Sequence, residues 1–119
     1  YDARLSGRIG LVARRRARTS TLAQYTVVLE QRAQIQALLQ EAGIPTAVHY
    51  PVPMHLQPAY ARWSDAGSAP VARRMADQVL SLPMGPYLSD AEVALVAATL
   101  LDALDDTSAV HERTMPARA

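Results

Sequence analysis

Pro51 and Pro53 stand two positions apart near the middle of the chain, and they constrain its fold more than any other residues. A proline has no amide to donate and its φ is held near about −65°, so a segment carrying two of them cannot be an interior strand. Tyr50-Pro51-Val52-Pro53-Met54 is therefore a rigid extended loop, and regular structure must be assembled from the stretches on either side. Upstream, Tyr25-Thr26-Val27-Val28-Leu29 is a β-branched and aromatic run of strand length. Ile35, Leu38, Leu39 and Ala42 then recur at helical spacing and predict a helix over 31–42, closed by Gly43 and barred from continuing by Pro45. Ile44 to Tyr50 reads as a second strand, with Val48 and Tyr50 on one side and His49 on the other.

Downstream of the prolines, one turn of helix near 56–61 leads to a loop over 63–68. Ser68 is placed to cap a helix with Pro70 in its first turn and Val71, Ala72, Met75, Ala76 and Val79 on its apolar side. Leu80-Ser81-Leu82 is a short strand, followed by a loop over 83–88. Ser89 and Glu92 form a capping box, and behind it Val93, Val96, Ala97, Leu100, Leu101 and Leu104 line one face of a helix. The expected fold class is α+β, a short β-sheet with helices packed on one face. Residues 1–23, basic and punctuated by Gly7 and Gly10, read as a connector, and Tyr1 to Leu5 as the end of a helix within something longer. Residues 24–104 form the folded domain; the apolar pattern stops at Asp105, so 105–119 is expected to be a disordered tail.

Composition narrows the chemistry. All 12 basic residues are arginine, against 11 acidic ones, and there is neither lysine nor cysteine. Schiff-base, thiolate and disulfide chemistry within this chain are excluded. The absence of cysteine fits a reducing compartment, and cytoplasmic localisation is expected. Positive charge is concentrated in Arg14, Arg15, Arg16 and Arg18, while the rest of the chain is net acidic. Without interleaved aromatics that run reads as a solvated connector or a surface meeting an acidic neighbour, not as a nucleic-acid interface. No apolar run reaches the roughly 18 residues of a membrane span.

The segment 49–60 gathers two imidazoles, two phenols, an amide and three prolines. Prolines limit a loop's freedom before it folds, so the polar groups between them are held in place, as a ligand site requires. Residue types alone favour the plainer alternative of solvated loop side chains. His49 and His55, six apart across prolines with no carboxylate between them, are a poor metal pair. No glycine-flanked nucleophilic serine and no phosphate-cradling glycine loop is present.

Several segments together resemble a known family. Gln24-Tyr25-Thr26-Val27, Gln31-Arg32, Leu38-Leu39-Gln40-Glu41-Ala42-Gly43-Ile44-Pro45-Thr46, His49-Tyr50-Pro51-Val52-Pro53-Met54-His55 and Leu80-Ser81-Leu82-Pro83-Met84 are similar, in order and spacing, to the C-terminal part of the DegT/StrS-type nucleotide-sugar aminotransferases. The resemblance covers about residues 1–104. It implies the small C-terminal domain of the aspartate-aminotransferase fold (fold type I), packed in the whole enzyme against a large domain that holds pyridoxal 5'-phosphate and its lysine. It implies a homodimer that moves an amino group from glutamate to a nucleotide-linked keto-sugar, for surface-polysaccharide or antibiotic-sugar synthesis. By the same match His55, His49 and Tyr50 are expected to bind substrate. The cofactor lysine has no counterpart here, so the isolated chain is expected to be inactive, and Gly85 stands where the family often has a histidine or another polar residue. An alternative is a stand-alone, non-catalytic module that binds a nucleotide sugar or a partner through the His49–His55 loop.

Overall fold

Alternation along one strand organises the molecule. In the computed structural model, which describes residues 1–65 and 67–114, strand β2 (Tyr25–Val28) buries Tyr25 and Val27 and leaves Thr26 and Val28 partly open. That is the period-two signature of a sheet covered on one side. β3 (Val79–Leu82) pairs with it antiparallel, setting Tyr25 opposite Leu82, Thr26 opposite Ser81 and Val27 opposite Leu80. On the other side of β2 lies β1 (Gly10–Leu11), also antiparallel, with Gly10 opposite Val28. A Cβ at Gly10 would stand 3.0 Å from that of Val28, so the pairing calls for glycine there.

Helices close the apolar face. α2 (Arg32–Glu41) presents Ile35 and Leu39, both fully buried. It ends in a Schellman turn: Gly43 has φ +75°, its amide donates to the Gln40 carbonyl at 3.0 Å, and the Ile44 amide donates to the Leu39 carbonyl at 2.8 Å. The turn brings Ile44 into the same core as Leu39. α4 (Asp90–Thr114) adds Val96, Ala97, Leu100 and Ala103. Its capping box forms as expected: the Glu92 amide donates to the Ser89 hydroxyl oxygen at 3.3 Å, and the Ser89 amide donates to the Glu92 carboxylate at 2.8 Å. The backbone bond from Ser89, and then that from its hydroxyl, hold the Glu92 carboxyl below the usual carboxylate range. The α+β architecture, a small antiparallel sheet with helices over one face, is as expected from the sequence.

Several local expectations are corrected. Ile44 to Tyr50 is not a strand: only Ala47 bridges to the sheet, its amide donating to Ser81 at 3.1 Å and its carbonyl accepting from Ser81 at 2.7 Å. Pro45 and Pro51 flank that bridge and deny the segment the donors a longer ladder needs. Ser68 does not cap α3 (Pro70–Gln78), because its hydroxyl donates to the Asp65 carbonyl at 2.6 Å; Ala69 occupies the N-cap with φ +53°. The expected apolar side of α3 is open, with Ala76 its one buried residue.

The helix expected to stop at Leu104 continues to Thr114. Ala103 and Thr107 extend its buried stripe, and the Thr107 hydroxyl donates to the Ala103 carbonyl at 3.0 Å. Of the expected disordered tail, 105–114 is therefore helical, and 115–119 lies outside the described residues. The stretch 1–23 is more than a connection: α1 (Asp2–Leu5) places Leu5 in the core, and β1 joins the sheet. Among the described residues no helix is long and apolar enough to cross a membrane.

Candidate substrate-binding face

The side of the sheet away from the helices carries hydroxyls where the core side carries Leu and Val. Thr26 and Ser81, opposite each other on β2 and β3, place their side-chain oxygens 3.2 Å apart. Ser81 is buried, although serine has no apolar reason to be, because the Ala47 bridge and His49 cover it. His49 Nδ1 lies 3.1 Å from Ser81 Oγ, so a chain of three polar side chains crosses this face. The residue itself is exposed, and its ring meets that of Tyr50 edge-on, centroids 5.8 Å apart.

Tyr50 begins a run of exposed apolar side chains along the proline loop: Tyr50 is 73% exposed, Met54 64% and Trp63 67%, with Val52 and Tyr60 also open. Two 3₁₀ turns, Met54–Leu56 and Pro58–Tyr60, shape this loop where a single turn of helix was expected. Trp63 is sandwiched from one side by Arg62, whose guanidinium carbon sits 3.7 Å from the ring centroid. His55 sits in the first turn, half-buried. Its carbonyl accepts from the Ser64 hydroxyl at 2.6 Å, while its Nε2 is buried and has no hydrogen-bond partner among the described residues. His49 and Tyr50 are thus brought together; no hydrogen bond or ring contact joins His55 to either among the described residues.

Beside Thr26 the face continues into an open groove of about 820 Å³, lined among others by Arg14, Arg15, Arg18, Ser20 and Gln24. Its edge is fastened by Asp2, which accepts from the Tyr25 hydroxyl and pairs with Arg14 at 3.0 Å. The bond from Tyr25, and then the Arg14 charge, lower the Asp2 pKa. Burial first, and then Asp2, push the Tyr25 phenol well above its ordinary range, so it stays protonated as a donor. Sequence reasoning singled out His49, His55 and Tyr50 as candidates but not Thr26, Ser81 and Asp2, which the structure places around this face. The available signal was that Thr26 and Ser81 are the hydroxyl-bearing positions alternating away from the core in two strands.

Among the described residues no three histidine or carboxylate side chains converge as metal ligands. The face offers imidazoles, phenols and guanidiniums, groups that hydrogen-bond, stack and neutralise charge.

Residues 2–101 match the model of the DegT/DnrJ/EryC1/StrS aminotransferase family. Over 81 residues the chain is 48% identical to UDP-2-acetamido-2-deoxy-3-oxo-D-glucuronate aminotransferase of Pseudomonas aeruginosa, covering 68% of this chain and 22% of that protein. Over 65 residues it is 51% identical to dTDP-3-amino-3,4,6-trideoxy-alpha-D-glucose transaminase of Streptomyces venezuelae, covering 54% of this chain and 17% of that protein. A crystal structure of a DegT DnrJ EryC1 StrS aminotransferase from Brucella abortus superposes with a TM-score of 0.77 at 34% identity, over 83% of this chain and 27% of that one. Streptomyces venezuelae DesV, in complex with a ketimine intermediate, superposes with a TM-score of 0.75 at 38% identity, over 88% of this chain and 28% of that one. The chain thus spans under a third of the length of these relatives, yet matches the family model over most of its own; it belongs to the DegT/DnrJ/EryC1/StrS aminotransferase family.

Proposed function

We propose that residues 24–104, joined through the connector 1–23, are the C-terminal small domain of a pyridoxal-phosphate-dependent enzyme that transfers an amino group from glutamate to a nucleotide-linked keto-sugar. The enzyme would work in the cytoplasm as a homodimer, in surface-polysaccharide or antibiotic-sugar synthesis. The observation that carries the reading is the outer face of the sheet. There His49 is anchored to Ser81 beside the exposed Tyr50, in a chain whose relatives include proteins named for UDP- and dTDP-linked sugars. On this reading His49, Tyr50 and His55 bind and orient the substrate, and the exposed aromatics of the loop pack against the rest of the enzyme.

The chain's own residues do not fit covalent attachment of the cofactor, because no lysine is present to form the imine. No step of the transfer is therefore assigned to them; their part is binding, orientation and exclusion of water. The isolated chain is expected to show no imine absorbance when mixed with pyridoxal phosphate. A borohydride-stable adduct mapped to one of its side chains would overturn that expectation. Calorimetric titration with UDP- and dTDP-linked sugars separates the two readings of the loop. Saturable binding by the isolated chain, weakened about tenfold in His55→Ala, an ordinary hydrogen bond's worth, would favour the stand-alone module. Weak binding, seen only at millimolar sugar, favours a domain that needs the rest of the enzyme.

A further inference from the structure

We infer that Ser81 and Thr26 are positioning residues that fix the ring and tautomer of His49, so that it presents Nε2–H as a donor to an anionic or carbonyl oxygen of the ligand. The inference rests on the reading of this face as the substrate side, and its geometry stands independently of which sugar is bound. Ser81 is held at both backbone groups by Ala47, at 3.1 and 2.7 Å, which fixes the chain two residues ahead of His49. Its hydroxyl then touches His49 Nδ1 at 3.1 Å on one side and Thr26 Oγ1 at 3.2 Å on the other. A buried hydroxyl with two neighbours of this kind donates to one and accepts from the other, so the three groups carry protons in a single direction.

The groove sets that direction. Thr26 lines the same cavity as Arg14, Arg15 and Arg18. Of these, Arg14 is paired with Asp2, and Arg15 and Arg18 have no carboxylate partner among the described residues. Side-chain dipoles align in such a field, turning the Thr26 oxygen toward the guanidiniums and its proton toward Ser81. Ser81 then donates to His49 Nδ1, which leaves the other ring nitrogen protonated. Among the described residues Nε2 has no hydrogen-bond partner, so the donor remains available on an exposed ring. A neutral imidazole whose second nitrogen is set by its neighbour is a directed donor rather than a freely rotating one.

The test reads the nitrogens directly in the isolated chain. Long-range ¹H–¹⁵N spectra of His49 are recorded at about pH 8.5, well above the ordinary imidazole midpoint near 6.5. The wild type is expected to show the Nε2–H tautomer in an excess raised about tenfold over that of a free imidazole, the factor set by one hydrogen bond of ordinary net strength. Ser81→Ala should return the ratio to the free value, Ser81→Thr should restore it, and Thr26→Val should fall between. Backbone amide spectra of β2 and β3 report whether each variant keeps its fold. If Ser81→Ala unfolds, the Thr26→Val result decides. A wild-type Nδ1–H tautomer, or a ratio unchanged by Ser81→Ala or by Thr26→Val in folded protein, overturns the inference. Failure to bind nucleotide sugars would count against the substrate reading and leave these tautomer ratios unaffected.

Discussion

The two faces of the sheet are made by the same strands and do opposite things. On one, Tyr25, Val27, Leu29, Leu80 and Leu82 are buried under α2 and α4 with Ile35, Leu39 and Leu100. On the other, Thr26 and Ser81 hold an exposed histidine, beside an arginine groove and a loop of exposed aromatics. Burial of apolar area drives the first arrangement, and hydrogen bonds anchored on rigid backbone define the second. The difference separates the part that stabilises the domain from the part left open: the helical side folds the domain, and the polar side is the one that the proposed function assigns to a ligand and the remainder of an enzyme.

That division can be broken experimentally. Leu100→Ala, in the fully buried stripe of α4, is expected to lower unfolding free energy by about 3 kcal/mol, whereas Met54→Ala on the exposed loop should change it by less than about 0.5 kcal/mol. Chemical denaturation of both variants checks the contrast, and equal losses would erase it. Gly43→Ala forces a side chain into φ +75° at the end of α2 and should cost about 1 kcal/mol by the same measurement.

Acid provides a third test. Asp2 and Glu92 both have folded-state pKa values below their ordinary ones. Their contribution is therefore fully present above the ordinary carboxylate midpoint near about 4 and is lost as pH falls through the lower folded value. The melting temperature of the wild type should fall more steeply below about pH 4 than that of Asp2→Asn, and parallel curves would contradict the Asp2 assignment. The smallest effect on stability is expected from Val52→Asp, within about 0.5 kcal/mol. The same change should reduce self-association of the isolated chain in size exclusion, since exposed apolar loops promote it. A wild type that elutes as a clean monomer would argue against that role for the loop.

Much of the helical side was legible in the sequence because it rests on local signals. The Ser89–Glu92 box, the Gly43 stop and the spacing of Ile35, Leu39, Val96 and Leu100 each encode their own geometry. Where tertiary contacts decide, the reading failed. The apolar pattern was expected to stop at Asp105, yet the helix runs on and Thr107 is buried in it. Leu5 looked like part of a connector until the fold brought it into the core. His49 and Tyr50 were visible as unusual residues on a proline-rich loop. The Ser81–Thr26 support beneath His49 was not, because it joins residues 32 and 55 positions apart.

The most direct test of the account is a map of ligand-induced shifts on the isotopically labelled chain. A UDP- or dTDP-linked sugar added at millimolar concentration should perturb His49, Tyr50, Thr26 and Ser81 while leaving the buried residues of α4 unmoved. Shifts confined to the helical side, or none on the His49 face with the chain otherwise folded, would contradict the assignment of the polar face as the substrate side.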